Sequence, residues 1–307
     1  MCWKASMEVT EKQPWTDSDR RTWFENQKIK RSYQKEVLDR ISDVSGTLEV
    51  KNYGALTVQS NEYPLVWFTS RDWAPGREVV AITGGVHGYE TSGVLGALEF
   101  SFAEVEKYVE AFNFVIAPCV SPWAFETINR WNSDAIDPNR SFIENSPCEE
   151  VRKLMNAFAA LKKTREFDCI AHFDLHETTD TDNTVFRPAL EARDGVEIPF
   201  SEIPDGFYLV ADASSPQESF QGEIVKAVEK ITHIAEADSS GEIIGEPVSQ
   251  KGVVHYDAKS KGLCMGFTGA KFVTTTEVYP DSPRVSPAIC IAAQKSAVVA
   301  GLEYLKN

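Results

Sequence analysis

The 307-residue chain has no Cys-x-x-Cys pair, no internal repeat, no low-complexity tract and no excess of basic charge. Its six cysteines (Cys2, Cys119, Cys148, Cys169, Cys264, Cys290) are scattered, which argues against a thiolate metal knot and against a disulfide framework. Cys119, Cys169 and Cys290 lie inside apolar runs and read as buried free thiols, as expected of a cytoplasmic protein. A formal net charge of −15 argues against nucleic acid or an anionic membrane as the main partner. No run approaches the roughly 18 apolar residues of a membrane span. The opening MCWKASMEVTEKQPW is polar and broken by charge, so no secretory signal is expected.

What is present is an ordinary globular composition, 42% hydrophobic and 25% charged, in a chain long enough to bury a full core. Residues 1–45 read as a helical extension packed on the core, and 46–307 as one catalytic domain. Within the extension, Trp23, Ile29, Tyr33, Val37, Leu38 and Ile41 recur at helical spacing over 16–45, with Ser18 or Asp19 as N-cap and Gly46 as stop. Leu48 to Val58 and Tyr63 to Thr69 alternate around Ser60-Asn61 as a hairpin. Further strands are predicted over Val79 to Ile82, Phe112 to Pro118, Asp168 to Leu175 and Phe272 to Val278. Helices are predicted over 91–111, Glu149 to Lys163, Gln217 to Ala237 and Pro287 to Leu305. Residues 119–147 and 177–216 read as long irregular segments, and loops of that length tend to be functional. Strands alternating with helices define an α/β class, with three layers around a mixed, mostly parallel sheet. Sites in such sheets gather at the carboxyl ends of strands.

One such end carries His87 and Glu90, between the strand at Val79 and the helix at Thr91. An offset of three residues in a turn that opens a helix puts imidazole and carboxylate on one side. Gly84, Gly85 and Gly88 keep bulk away from that turn. Two such groups are part of the ligand set of a catalytic zinc ion, and a solvated turn is the alternative. The strand IAHFDLHET places His172, Asp174 and His176 on one face by period-2 alternation. His176, at the carboxyl end, is the natural third ligand, and Asp174 is placed to hold a ligand imidazole. His172 reads better as a hydrogen-bonded histidine in a polar sheet edge, a reading also open for His176.

Two further stretches carry charge in telling places. FVTTTEV is an apolar, β-branched strand with one acid, Glu277, which is either a solvated strand end or a catalytic base. RWNSDAIDPNRSF supplies Arg130, Asn139 and Arg140. Arginine suits a planar carboxylate or a developing oxyanion, but these arginines could also simply pair with Asp134, Asp137 or Glu144.

In that order, HGYE, RWNSDAIDPNRSF, DLHET and TTTEVYP resemble the motifs of the M14 zinc carboxypeptidases, over roughly residues 79–305. The resemblance implies one Zn2+ held by His87, Glu90 and His176, Arg130 polarising the scissile carbonyl, and Asn139 with Arg140 binding a free substrate carboxylate. Glu277 would be the general base and proton shuttle. Tyr256, 21 residues before Glu277, stands near where the family places a substrate-binding tyrosine, in otherwise poorly matching sequence. GGVHGYETSGV, DLHET and TEVYP also resemble the aspartoacylase and succinylglutamate desuccinylase branch of the same fold, which uses this chemistry on N-acyl amino acids. The expected activity is therefore a zinc metallocarboxypeptidase acting on peptides with a free C-terminus. The alternatives are a zinc amidohydrolase of N-acyl amino acids and a silent zinc module that recognises C-terminal carboxylates. Residues 177–216 match no pattern, which leaves the specificity pocket unread.

Overall fold

The computed structural model describes residues 13–307, so Cys2 and most of the polar opening stretch lie outside the described residues. The N-terminal segment forms α1 (Asp17–Glu25), α2 (Tyr33–Glu36) and a 3-10 turn over Leu38–Asp43, three short pieces where periodicity suggested one longer run. The N-cap of α1 is Thr16, not Ser18 or Asp19: its hydroxyl accepts from the Asp19 amide while the Asp19 carboxylate accepts from the Thr16 amide. Tyr33 and Val37 are buried in the main core.

The hairpin β1 (Leu48–Val58) and β2 (Asn61–Ser70) leads into β3 (Val79–Gly84) and α3 (Thr91–Ala103), a helix that stops well short of residue 111. Next come β4 (Asn113–Ala117) and α4 (Pro122–Thr127), the latter lying in a segment expected to be irregular. Helix α5 (Glu149–Arg165) precedes β5 (Cys169–Glu177). The second long segment also has structure: a π-helical turn over Asp182–Phe186, α6 (Arg187–Asp194) and β6 (Tyr208–Asp212). Helix α7 (Glu218–Val228) ends nine residues before the expected limit at Ala237. The chain closes with β7 (Glu242–Ile243), β8 (Glu246–Pro247), β9 (Val253–Tyr256), β10 (Phe272–Val278) and α8 (Pro287–Lys306).

Eight strands form one mixed sheet in the order β1-β2-β4-β3-β5-β10-β6-β9. Strands β4, β3, β5 and β10 run parallel at its centre, which directs the ends of β3, β5 and β10 to one edge. Helices α3, α7 and α8 cover one face with Val94, Leu98, Ile224 and Val298, and α5 covers the other with Val151, Leu154 and Phe158. By length and composition α8 is apolar enough to cross a membrane, contrary to the sequence expectation. Its Cys290, Ala293, Ala297, Val298 and Leu302 are buried against protein.

Two glycines bring the site's elements together. A Cβ on Gly93 in α3 would lie 2.2 Å from the Leu175 carbonyl oxygen, so only glycine lets α3 rest this closely on β5. A Cβ on Gly88 would lie 1.9 Å from the Ala124 carbonyl carbon. The group admitted by this small residue is thus the backbone of α4.

Candidate metal centre

Strand β3 ends at Gly84, and the turn 85–90 carries His87 and Glu90 into the start of α3. The amides that open α3 need acceptors. The Glu177 carboxylate at the end of β5 supplies them, accepting from Thr91 N at 3.1 Å and Ser92 N at 2.6 Å. Glu90, although at the N-cap position, makes no side-chain cap and is left for the site. On β5, Phe173 and Leu175 join the apolar core, while His172, Asp174 and His176 lie on the opposite face.

His87, Glu90 and His176 offer three buried ligand atoms within 4.8 Å of one another. His87 Nδ1 lies 2.7 Å from Glu90 Oε1, and His176 Nδ1 lies 2.8 Å from Glu90 Oε2. The second contact lacks hydrogen-bond alignment, so Oε2 has no hydrogen-bond donor despite its burial. His87 Nδ1 and Glu90 Oε1 share a hydrogen bond, whereas the buried Oε2 is left open to a shared centre. Both Nε2 atoms are held from behind, His87 by Asp137 Oδ1 and His176 by Asp174 Oδ2, each at 2.9 Å. Carboxylates in this position fix ring orientation and raise the basicity of the free nitrogen. Two imidazole nitrogens and one carboxylate, with room for a fourth ligand, fit a catalytic zinc ion.

The electrostatics agree. Burial alone would raise the Glu90 pKa, but the imidazoles of His176 and His87 outweigh it and hold the carboxyl below its ordinary range. Burial would lower the His176 pKa, but Asp174 and Glu90 outweigh it and raise it well above the usual imidazole value. A cation held here would take the place of the proton that His176 otherwise keeps.

Glu277 is the direct neighbour of His176 in the parallel β5–β10 pair. Its Oε2 accepts from the Thr178 hydroxyl at 2.9 Å, and burial is the main cause that pushes its pKa up to about 8. Arg130 does pair with Asp137, as the simpler reading allowed, through Nε at 3.0 Å. It also pairs with Asp182 through Nη1 at 3.1 Å, which leaves Nη2 without an acceptor among the described residues. Asn139 is buried, its Oδ1 accepts from Cys264 N at 2.8 Å, and its Nδ2 lies 3.5 Å from His176 Nε2. Arg140 is exposed, meets no carboxylate among the described residues, and donates to the Asn139 carbonyl. Tyr256, at the end of β9, has its pKa pushed up to about 12, chiefly by burial.

These side chains share one cavity of about 310 Å³, which His87, Glu90, Arg130, Asn139, Arg140, Tyr256 and Glu277 all line. His176 stands behind Glu90. His172 does not face it, and it lies fully buried on a central strand, not at a polar sheet edge: burial lowers its pKa to about 4, and its ring nitrogens meet Thr83 Oγ1 at 2.9 Å and the Met265 carbonyl at 3.3 Å. The His172, Asp174 and Cys264 donors also cluster, but the Thr83 hydroxyl lies within hydrogen-bonding range of all three.

Sequence reasoning missed several contributors. Asp137 appeared there only as an ion partner, yet it joins His87 to Arg130. Its place two residues before Asn139 was the available signal. Asp182 ties Arg130 to the Tyr89 hydroxyl at 2.9 Å, and Arg187, Ile198 and Ser201 complete the cavity wall. No local pattern marked these residues.

The fold is an α/β architecture with helices on both faces of a mixed sheet and the candidate metal centre at the carboxyl ends of its central strands. No family profile and no curated protein matches the chain by sequence. Solved structures do match. A candidate metallopeptidase from Shewanella amazonensis is 20% identical, with a TM-score of 0.65, covering 89% of this chain and 92% of that one. A metallo-carboxypeptidase from Burkholderia cenocepacia is 14% identical, with a TM-score of 0.58 over 95% of this chain and 70% of its own. A succinylglutamate desuccinylase/aspartoacylase from Rhodobacter sphaeroides is 12% identical, with a TM-score of 0.53 over 84% and 65%. At such identities the likeness is one of fold.

Proposed function

We propose that the chain is a zinc-dependent hydrolase of amide bonds, acting as a metallocarboxypeptidase on substrates with a free carboxylate. The observation that carries this reading is the convergence of His87 Nδ1 and His176 Nδ1 on Glu90, in one cavity with Glu277. One zinc ion held by His87, Glu90 and His176 would polarise the scissile carbonyl and acidify water. Glu277 takes a proton from the attacking water and returns it to the leaving amine. Its raised pKa suits a group that must do both. Nη2 of Arg130, which has no acceptor among the described residues, is the donor for charge that builds on the carbonyl oxygen. Arg140, which meets no carboxylate among the described residues, and the Asn139 amide hold the substrate carboxylate, with Tyr256 on the same wall. Five buried free cysteines support placement in a reducing, cytoplasmic setting.

A second reading, an amidohydrolase of N-acyl amino acids, is supported by the cavity itself. About 310 Å³ is near the small end for ligand pockets, and residues 183–203 wall off one side. Mass spectrometry of one pool decides between them: peptides with free and amidated C-termini, plus N-acetyl and N-succinyl amino acids, incubated with zinc-loaded protein. Loss of one residue from free C-termini alone establishes the carboxypeptidase. Acyl release with peptides untouched establishes the amidohydrolase, and turnover of neither overturns both.

A further inference from the structure

Arg31 lies outside every motif considered so far, between α1 and α2, yet its guanidinium is partly buried. Its Nη2 donates to the Gly88 carbonyl at 2.5 Å, Nη1 to the Thr91 hydroxyl at 2.6 Å, and Nε to the Phe125 carbonyl at 2.6 Å. The guanidinium carbon sits 3.5 Å above the centre of the Phe125 ring. No carboxylate contacts it among the described residues, so a cation is held here by neutral acceptors alone. Burial lowers its pKa below the ordinary arginine value. Such an arrangement is costly, and an apolar side chain would anchor the segment more cheaply if anchoring were its whole task.

The three acceptors give the reason. Gly88 follows His87, and Thr91 follows Glu90, so Arg31 grips the chain immediately after each member of the ligand pair. Phe125 belongs to α4, whose backbone packs against Gly88. One planar fork therefore fixes the turn to the helix beneath it. We propose that Arg31 is a positioning residue for the metal site, and that the N-terminal segment is a working part of that site. This inference rests on the zinc reading above. A flexible ammonium cannot reproduce the fork, so lysine substitutes only in part.

The test measures zinc affinity by competition with a chromophoric chelator, beside thermal melting of the metal-free proteins. Arg31→Met is expected to weaken zinc binding ten- to a hundredfold, the usual effect of losing a group that orients a ligand. Arg31→Lys should fall between it and the native protein. Thr91→Val removes one of the three contacts and should weaken zinc about threefold to tenfold; it also serves if Arg31→Met does not fold. Tyr33→Phe is the control, because the Tyr33 hydroxyl ties the same segment to the Pro64 carbonyl at 2.9 Å without touching the turn. It should lower the melting temperature and leave zinc affinity within about twofold. Native zinc affinity in folded Arg31→Met, or in Thr91→Val, overturns the inference, as does a loss in Tyr33→Phe that matches Arg31→Met. Failure of the native protein to bind zinc overturns the metal reading itself, and this inference with it.

Discussion

The two long segments that border the cavity are built in opposite ways. Residues 119–147 are sunk into the protein, with Trp123, Phe125, Trp131, Asp137 and Asn139 all buried. Ile128, Ala135 and Asn145 there hold left-handed backbone (φ 54°, 57° and 58°), which persists only where surrounding packing enforces it. Residues 183–203 lie largely outside: Val185, Val196 and Phe200 are 53%, 45% and 72% exposed. No residue of this stretch other than Gly195 has a positive φ. The first segment delivers Arg130, Asp137 and Asn139 to fixed places. The second supplies Asn183, Arg187, Ile198 and Ser201 to the cavity wall. The buried, strained chain carries side chains packed around the candidate metal centre, and the exposed chain carries the outer wall of the cavity.

The largest effect is expected at the cavity floor, which belongs to neither segment. Glu277→Gln should lose between a hundredfold and ten-thousandfold in turnover, the range for a general base, while zinc binding and melting temperature stay native. Native turnover would remove Glu277 from the chemistry. The contrast itself is tested by Trp131→Ala in the first segment and Phe200→Ala in the second, followed by urea unfolding. Trp131 is 1% exposed, and its truncation should cost roughly 3–5 kcal/mol. Phe200→Ala should change stability by no more than about 0.5 kcal/mol while shifting KM, because the Phe200 ring lies under the Arg187 guanidinium of the cavity wall, 5.1 Å away. Equal losses of stability would erase the distinction.

A smaller effect concerns pH and His172, buried neutral beneath the site. Its folded pKa of about 4 lies below the ordinary value of 6.5, so between these values the unfolded chain binds the proton and the folded protein does not. Stability present above pH 6.5 is therefore lost as pH falls toward 4, by roughly 3 kcal/mol in total. Glu277 and Glu177, whose carboxyl pKa values burial raises to about 8 and about 7, act with the opposite sign. The informative quantity is thus the difference in slope between the native protein and His172→Asn, which should unfold with a flatter acid limb.

How much of this was legible in the sequence follows from where information is local. Strands β3 and β10 are largely apolar and β-branched runs and β5 alternates apolar with polar residues, so all three and the residues at their ends could be read directly. Strands β6 and β9 could not. They are five and four residues long, and short apolar stretches between turns look the same in strands, loops and helix ends. His87 and Glu90 share a turn, so their spacing carries the signal. Asp137 reaches His87 across 50 positions and Asp182 reaches Arg130 across 52, contacts that only the packed fold creates. Arg31 was hidden for the same reason, since its partners lie 57, 60 and 94 residues away.

The pairing of His176 with Glu277 on adjacent parallel strands has a consequence for how such a protein can change over time. The separation between these two groups is set by the pitch of the sheet, about 4.8 Å between neighbouring strands, and by no loop. Insertions, deletions or grafts in residues 183–203 leave that spacing untouched. The fold thereby lets the cavity rim change length while the spacing between His176 and Glu277 stays fixed by the sheet.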